Sequence, residues 1–274
     1  MKLTGLMLLI CMAFQVSAQR ANSRSRSEFG FLVGGSYYIG DLNQYGHFKN
    51  TNLAAGALYR FNVHSRLAIR GNFTIGSIEA SDADSRIALL RNRNLSFHSK
   101  IYELAGGVEF NYFPFQIGHS KYKGTAYMLV EMGIFHMNPK TDYNGDEIEL
   151  QPLATEGQGT ELSSKRGYGK TQLTIPLGLG CRFSLGKSVS LSFEYGIRKT
   201  FTDYIDDVGS SRYVDADALS AINGPIAGAL SNRSLDGSRY GKRGNGSTGD
   251  WYSFFGMMVT FRLGAPDKCF HFSN

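Results

Sequence analysis

The sequence predicts an all-β fold, an eight-stranded antiparallel up-and-down transmembrane β-barrel. Three observations lead there. Long segments alternate bulky apolar residues with small or polar ones at a period of two, as expected of a strand with two unlike faces. The connections between these segments alternate between short and long. The charges within the segments fall on the small-residue phase. Composition agrees: the 274-residue chain is 42% hydrophobic, 13% aromatic and only 19% charged, with 33 glycines. That much aromatic content argues against disorder.

The first strand runs through the stretch 28–43. Phe29, Phe31, Val33, Tyr37 and Ile39 share one phase, and Gly30, Gly34, Ser36 and Gly40 the other. The same format predicts strands over 52–61, 66–76, 97–113, 124–137, 168–185, 188–202 and 250–263. Each has about ten or more residues, the length a tilted strand needs to cross the hydrocarbon layer. The connections 62–65, 114–123 and 186–187 are short, whereas 41–51, 77–96, 138–167 and 203–249 are long. Short periplasmic turns and longer outer loops are the format of bacterial outer-membrane barrels. Asn144-Gly145 in the third long loop is a two-residue hairpin signal and predicts that this loop extends strands five and six beyond the membrane.

Ahead of the barrel, residues 1–18 read as a secretory signal peptide. Lys2 is its charged region, Leu3 to Phe14 its short apolar run and Val16-Ser17-Ala18 its cleavage site. Ile10 before Cys11 is the wrong residue for a lipoprotein site. Residues 19–27 form a leader, 28–263 the outer-membrane barrel and 264–274 a periplasmic tail. After the leader no apolar run is long enough for a membrane helix; strands that close on themselves are the other way across. The expected location is the cell outer membrane, with its lipid as surroundings.

A charge facing lipid at mid-membrane costs roughly 2–4 kcal/mol, and the bulky phase carries none through the middle of any strand. The other phase carries Arg60, Arg70, Glu103, Glu109, Glu131, Arg182, Glu194, Arg198 and Arg262. Eight strands leave an interior about wide enough to be filled by side chains. Near-balanced charges there can pair across the lumen, as buried charges must. The expectation is a plugged barrel with this interior charge network and no open pore.

The remaining constellations read as structural. His98 and His136 are rim histidines with no serine and carboxylate in phase, so no enzyme activity is expected. Asp142-Tyr143-Asn144-Gly145-Asp146 begins like a calcium loop, but Glu147 stands where glycine is required and Leu153 where glutamate is. Asp203, Asp206, Asp207, Asp215 and Asp217 read as a solvated outer loop, whose apolar piece 218–230 packs on something or contacts a partner. Cys181 and Cys269 lack metal spacing and read as inert thiols, with a disulfide between them as the alternative. No catalytic residue, cofactor, metal, nucleic acid or small-molecule substrate is expected; the net charge of +6 comes without a basic stripe interleaved with aromatics.

Phe29-Gly30-Phe31, the run Gly34-Gly35-Ser36-Tyr37-Tyr38 with Gly40-Asp41-Leu42-Asn43, the final Asp250-Trp251-Tyr252 with Phe254 and Gly256, and the tail Lys268-Cys269-Phe270 resemble the PorG family over the whole mature chain. That family belongs to the type IX secretion machinery of Bacteroidetes. The resemblance implies an outer-membrane component whose periplasmic side contacts a ring of PorK- and PorN-like proteins and which supports gliding. It offers no catalytic residues. Two other classes fit the residues: a structural or adhesive small barrel with surface-binding loops, and a soluble barrel with inverted faces that binds a lipophilic ligand.

Overall fold

The computed structural model describes residues 26–44, 46–209, 212–239, 241–247 and 249–264. The expected signal peptide, most of the leader, the tail and Cys269 lie outside these residues.

Eight strands close into an antiparallel barrel: β1 (Ser27–Ile39), β2 (Asn52–His64), β3 (Leu67–Ser81), β4 (Ser96–Asn111), β5 (Gly124–His136), β8 (Thr171–Ser184), β9 (Val189–Thr200) and β10 (Trp251–Leu263). Each pairs with its chain neighbour, and β1 closes on β10 in register from Ser27↔Leu263 to Ile39↔Trp251. At this seam Gly34 faces Gly256, and a Cβ on Gly34 would lie 1.9 Å from the Phe255 carbonyl oxygen. Only glycine permits that approach.

The outward phase is apolar and exposed. Phe31, Ile69, Val108, Val130, Leu177, Leu179, Phe193 and Phe261 all present their side chains to the surroundings. A closed sheet with such a band is a membrane-spanning wall, and the protein is an outer-membrane β-barrel. The inverted, soluble arrangement is excluded by the same residues.

One end of the barrel carries the short turns and the other the long loops, which sets them in periplasm and outside the cell respectively. β3 and β4 run past the membrane together, with Ser81 opposite Ser96. The strand therefore extends beyond the expected end at residue 76. β6 (Lys140–Tyr143) and β7 (Asp146–Glu149) form the hairpin signalled by Asn144-Gly145, both with positive φ. This hairpin does not prolong β5 and β8 as expected. It leans on β4 through His98↔Lys140. Three short helices, α1 (Ala88–Arg93), α2 (Ala216–Asn223) and α3 (Pro225–Ser231), complete a folded cap over the loop end.

Candidate functional site

The alternation that turns apolar residues to lipid turns the charges into the lumen. Among the nine expected interior residues the accessibility never exceeds 9%. The network has a tenth member, Glu28, which is 2% exposed. It shares the phase of Gly30 and Leu32 and was legible by that alternation. With it, carboxylates and guanidiniums on the lumen wall balance.

Near the turn end, Arg60 binds Glu28 at 2.9 Å and Glu109 at 2.7 Å. Arg182 lies 3.3 Å from Glu109 and 3.5 Å from Glu28. Higher up, Arg70 holds Glu194 at 2.8 Å and Glu131 at 3.2 Å. Tyr127 donates to Glu194 at 2.8 Å, and the Asn72 amide donates to Glu131. Higher still, Arg198 pairs with Glu103 at 3.2 Å, and Tyr252 donates to the same carboxylate at 2.7 Å. Arg262 departs from the expected pairing: among the described residues it meets no carboxylate within ion-pair distance, and it donates to the Ile117 carbonyl. Its position near the last rung of β10 puts it at the mouth, where the partner within reach is the β4–β5 connection.

That connection, expected to be a plain short turn, folds into the mouth as a plug. Phe115 and Ile117 are 3% and 1% exposed. The Phe115 ring lies under the Arg182 guanidinium at 4.1 Å, a cation–π stack. Its amide donates to Ser65 of the β2–β3 turn, and Gly118 donates to the Ser184 hydroxyl. The signal for it was the pair of apolar residues, Phe115 and Ile117, in a segment otherwise suited to water.

At the loop end the lumen changes from polar to apolar. Ile78, Phe97, Ile101, Phe135, Tyr252 and Phe254 pack with Leu42, Leu95, Ile205 and Leu230 from the loops. The cap is pinned above this core by two buried arginines. Arg93 grips Asp82 through two nitrogens, at 2.6 and 2.7 Å, and donates to the carbonyls of Asp41 and Arg243. Arg243 pairs with Glu156 at 3.0 Å and donates to Thr155.

The aspartate cluster is a correction to the solvated loop expected of it. Asp206 and Asp207 are 2% and 1% exposed. Tyr38 donates to Asp206 at 2.6 Å and to Asp250 at 2.8 Å. Asp207 accepts from Thr155 and from Tyr168. Burial pushes the Asp207 carboxyl up to about 6 against the pull of Arg243, and burial with the neighbouring Asp41 takes Asp203 to about 7. Asp215 caps α2, accepting from the amides of Asp217 and Ala218. The apolar piece 218–230 supplies α2 and α3, which pack through Leu219 and Ala227.

Of the residues behind the family resemblance, Asp41 and Asn43 serve this cap. Asn43 donates to the carbonyls of Tyr38 and Gly46, and the Asp41 carboxylate accepts from the Asn245 amide. His98 lies 3.8 Å from Glu147, and His136 contacts Thr171. Among the described residues no cluster of His, Cys, Asp or Glu has metal-ligating geometry.

Several solved structures resemble the chain over most of its length, three of them as follows. Neisserial surface protein A matches at 8% identity and TM-score 0.43, covering 87% of this chain and 98% of that one. Ail, the attachment invasion locus protein of Yersinia pestis, matches at 10% and 0.41, covering 86% and 97%. The outer membrane protein OprG of Pseudomonas aeruginosa matches at 9% and 0.40, covering 88% and 99%. The barrel assignment rests on the strand registers and not on these distant likenesses. No curated protein matches in sequence. A family model described as a domain of unknown function, DUF6089, matches residues 2–272, and the chain belongs to that family.

Proposed function

We propose that this barrel is a non-conducting membrane anchor serving a protein secretion machine of the type IX kind, with periplasmic ring proteins of the PorK and PorN type held at its turn end. The observation that carries the anchor role is the filled lumen. Ion pairs occupy its middle, Phe115 and Ile117 one mouth, and the aromatic core the other. Such a wall offers attachment and no conduit. The secretion role is supported by the resemblance at Gly40-Asp41-Leu42-Asn43 and Trp251-Tyr252; there Asp41 and Asn43 bond within the cap and Tyr252 reaches Glu103 in the lumen.

The test is deletion in the native host, followed by assay of secreted proteins with C-terminal sorting domains. Expected is their accumulation inside the cell and rescue by the full chain. Normal secretion in the deletion strain overturns the proposal.

One observation favours the adhesive alternative. Ile87, Leu89 and Leu235 are exposed apolar residues on the cap, 54%, 48% and 72% accessible. If attachment to surfaces is the role, replacing these three by Ser abolishes it and leaves secretion untouched.

A further inference from the structure

The carboxylates of the described residues are partitioned by the membrane. Every one lies either on the lumen wall or in the loop-end half. The turn end presents Arg66, Lys121, Lys123 and Lys187, all exposed, with no Asp or Glu in the turns 65–66, 112–123 and 185–188. Among the described residues none of these four cations has an ion-pair partner, while the half-buried Lys140 and Lys170 at the loop end pair with Glu147 and Glu149.

These cations belong to one braced surface. The plug carrying Lys121 and Lys123 is tied to Ser65, next to Arg66, by the Phe115 amide. It is tied to the β8–β9 turn by Gly118, which donates to Ser184 and sits against the Lys187 carbonyl. Arg262 of β10 holds it from a third side. The plug therefore crosses the mouth, and the charges it gathers face the periplasm below the lumen as well as the lipid around it.

We propose that this basic face docks an acidic surface of a periplasmic protein. The inference rests on the anchor role proposed above and names the chemistry of the anchored partner. Unpaired cations of one sign steer an oppositely charged partner and fix its register, and a surface already braced loses little freedom on binding. Lipid headgroups meet a barrel around its perimeter. An array spread across the mouth suits a macromolecule lying beneath it.

The test uses the full chain in its own outer membrane, with benzoylphenylalanine in place of Ser120 on the plug and, as a control, in place of Glu161 in the cap. Expected is a protein-sized adduct at Ser120 only, to a partner of net negative charge. Its yield should fall about tenfold in Arg66→Gln/Lys121→Gln/Lys123→Gln/Lys187→Gln, in line with an electrostatic contact. Heat-modifiable gel migration checks that the variant barrel is assembled; should it not be, Lys121→Gln and Lys187→Gln singly must each lower the yield. Adducts to lipid alone, no adduct, or an adduct indifferent to the neutral variants overturns the proposal. Normal secretion in the deletion strain alongside a charge-dependent adduct removes the secretion role and leaves the docking face. Lost secretion with no adduct removes the docking face alone.

Discussion

Glu28 and Arg60 stand opposite each other on one rung of the β1–β2 ladder, and their carboxylate and guanidinium meet at 2.9 Å. Glu28 also lies 3.5 Å from Arg182, so together with Glu109 it balances two buried cations near the turn end. Removing one partner of a buried pair costs about 3–5 kcal/mol because the other charge stays behind. Glu28→Gln is expected to fall in that range. Arg262→Gln, which loses a donor to a carbonyl, should cost about 1–3 kcal/mol. Urea unfolding of both variants in lipid vesicles, followed by gel mobility, checks the order; an equal or reversed ranking counts against the network.

The β5–β8 ladder has a gap. Val130 pairs with Leu177 and Gly133 with Thr174, but Glu131 and Met132 have no ladder partners opposite Pro176 and Ile175. Proline has no N–H to donate and is normally kept off central strands. Pro176→Ala restores the donor without altering the register on either side. The amide introduced at position 176 should be protected from exchange, and stability should rise by about 0.5–1.5 kcal/mol, the net worth of one hydrogen bond. Fast exchange of that new amide would show that the gap has another cause.

Much of the barrel was legible because lipid imposes a strict rule on the wall. Every outward side chain must be uncharged, so period-two alternation locates the strands and the same alternation sorts Arg60 or Glu109 inward. The cap was not legible, because a loop can be solvated or buried with the same composition. Asp206 and Asp207 look like water-facing residues in the chain. They are buried because Tyr38, Tyr168 and Thr155, distant in sequence, supply hydroxyl donors. The fate of Arg262 was hidden for a similar reason: its partner is a backbone carbonyl of a turn that folds inward.

The cap should grow more stable as pH falls from about 7.5 to about 4.5. Burial first, opposed by Arg243, raises the Asp207 carboxyl to about 6, and burial with the charge of Asp41 raises Asp203 to about 7. An acid whose folded pKa lies above its unfolded value keeps its proton in the folded state after the unfolded chain has lost it. The folded state then binds more protons, so stability falls as pH rises between the two values and levels off above the folded one. Below about 4 the trend should turn, because Asp215 and Asp236 are held low by hydrogen bonds and lose them on protonation. Hydrogen exchange over residues 203–209 at graded pH measures this. Protection that increases steadily with pH across 4.5–7.5 would contradict it, and Asp207→Asn should flatten the part of the slope below about 6.

Cys181 offers a native probe of which side of the wall meets lipid. It stands opposite Ala126 on one side and Phe193 on the other. It lines an outward groove of about 650 Å³ with Leu179, Phe193, Met257 and Phe48, the last brought down by the β1–β2 loop onto Tyr37 and Phe255. A bimane label on this thiol, with Cys269→Ser removing the other one in the barrel and tail, should be quenched by brominated acyl chains and not by aqueous iodide. A label on Ser120→Cys, made with Cys181→Ser and Cys269→Ser, should respond to iodide and not to the lipid, since it sits on the plug facing water. Iodide quenching at Cys181 in the intact barrel would place water where the apolar rows of β8–β10 require hydrocarbon, and the outward assignment of those rows would fall with it.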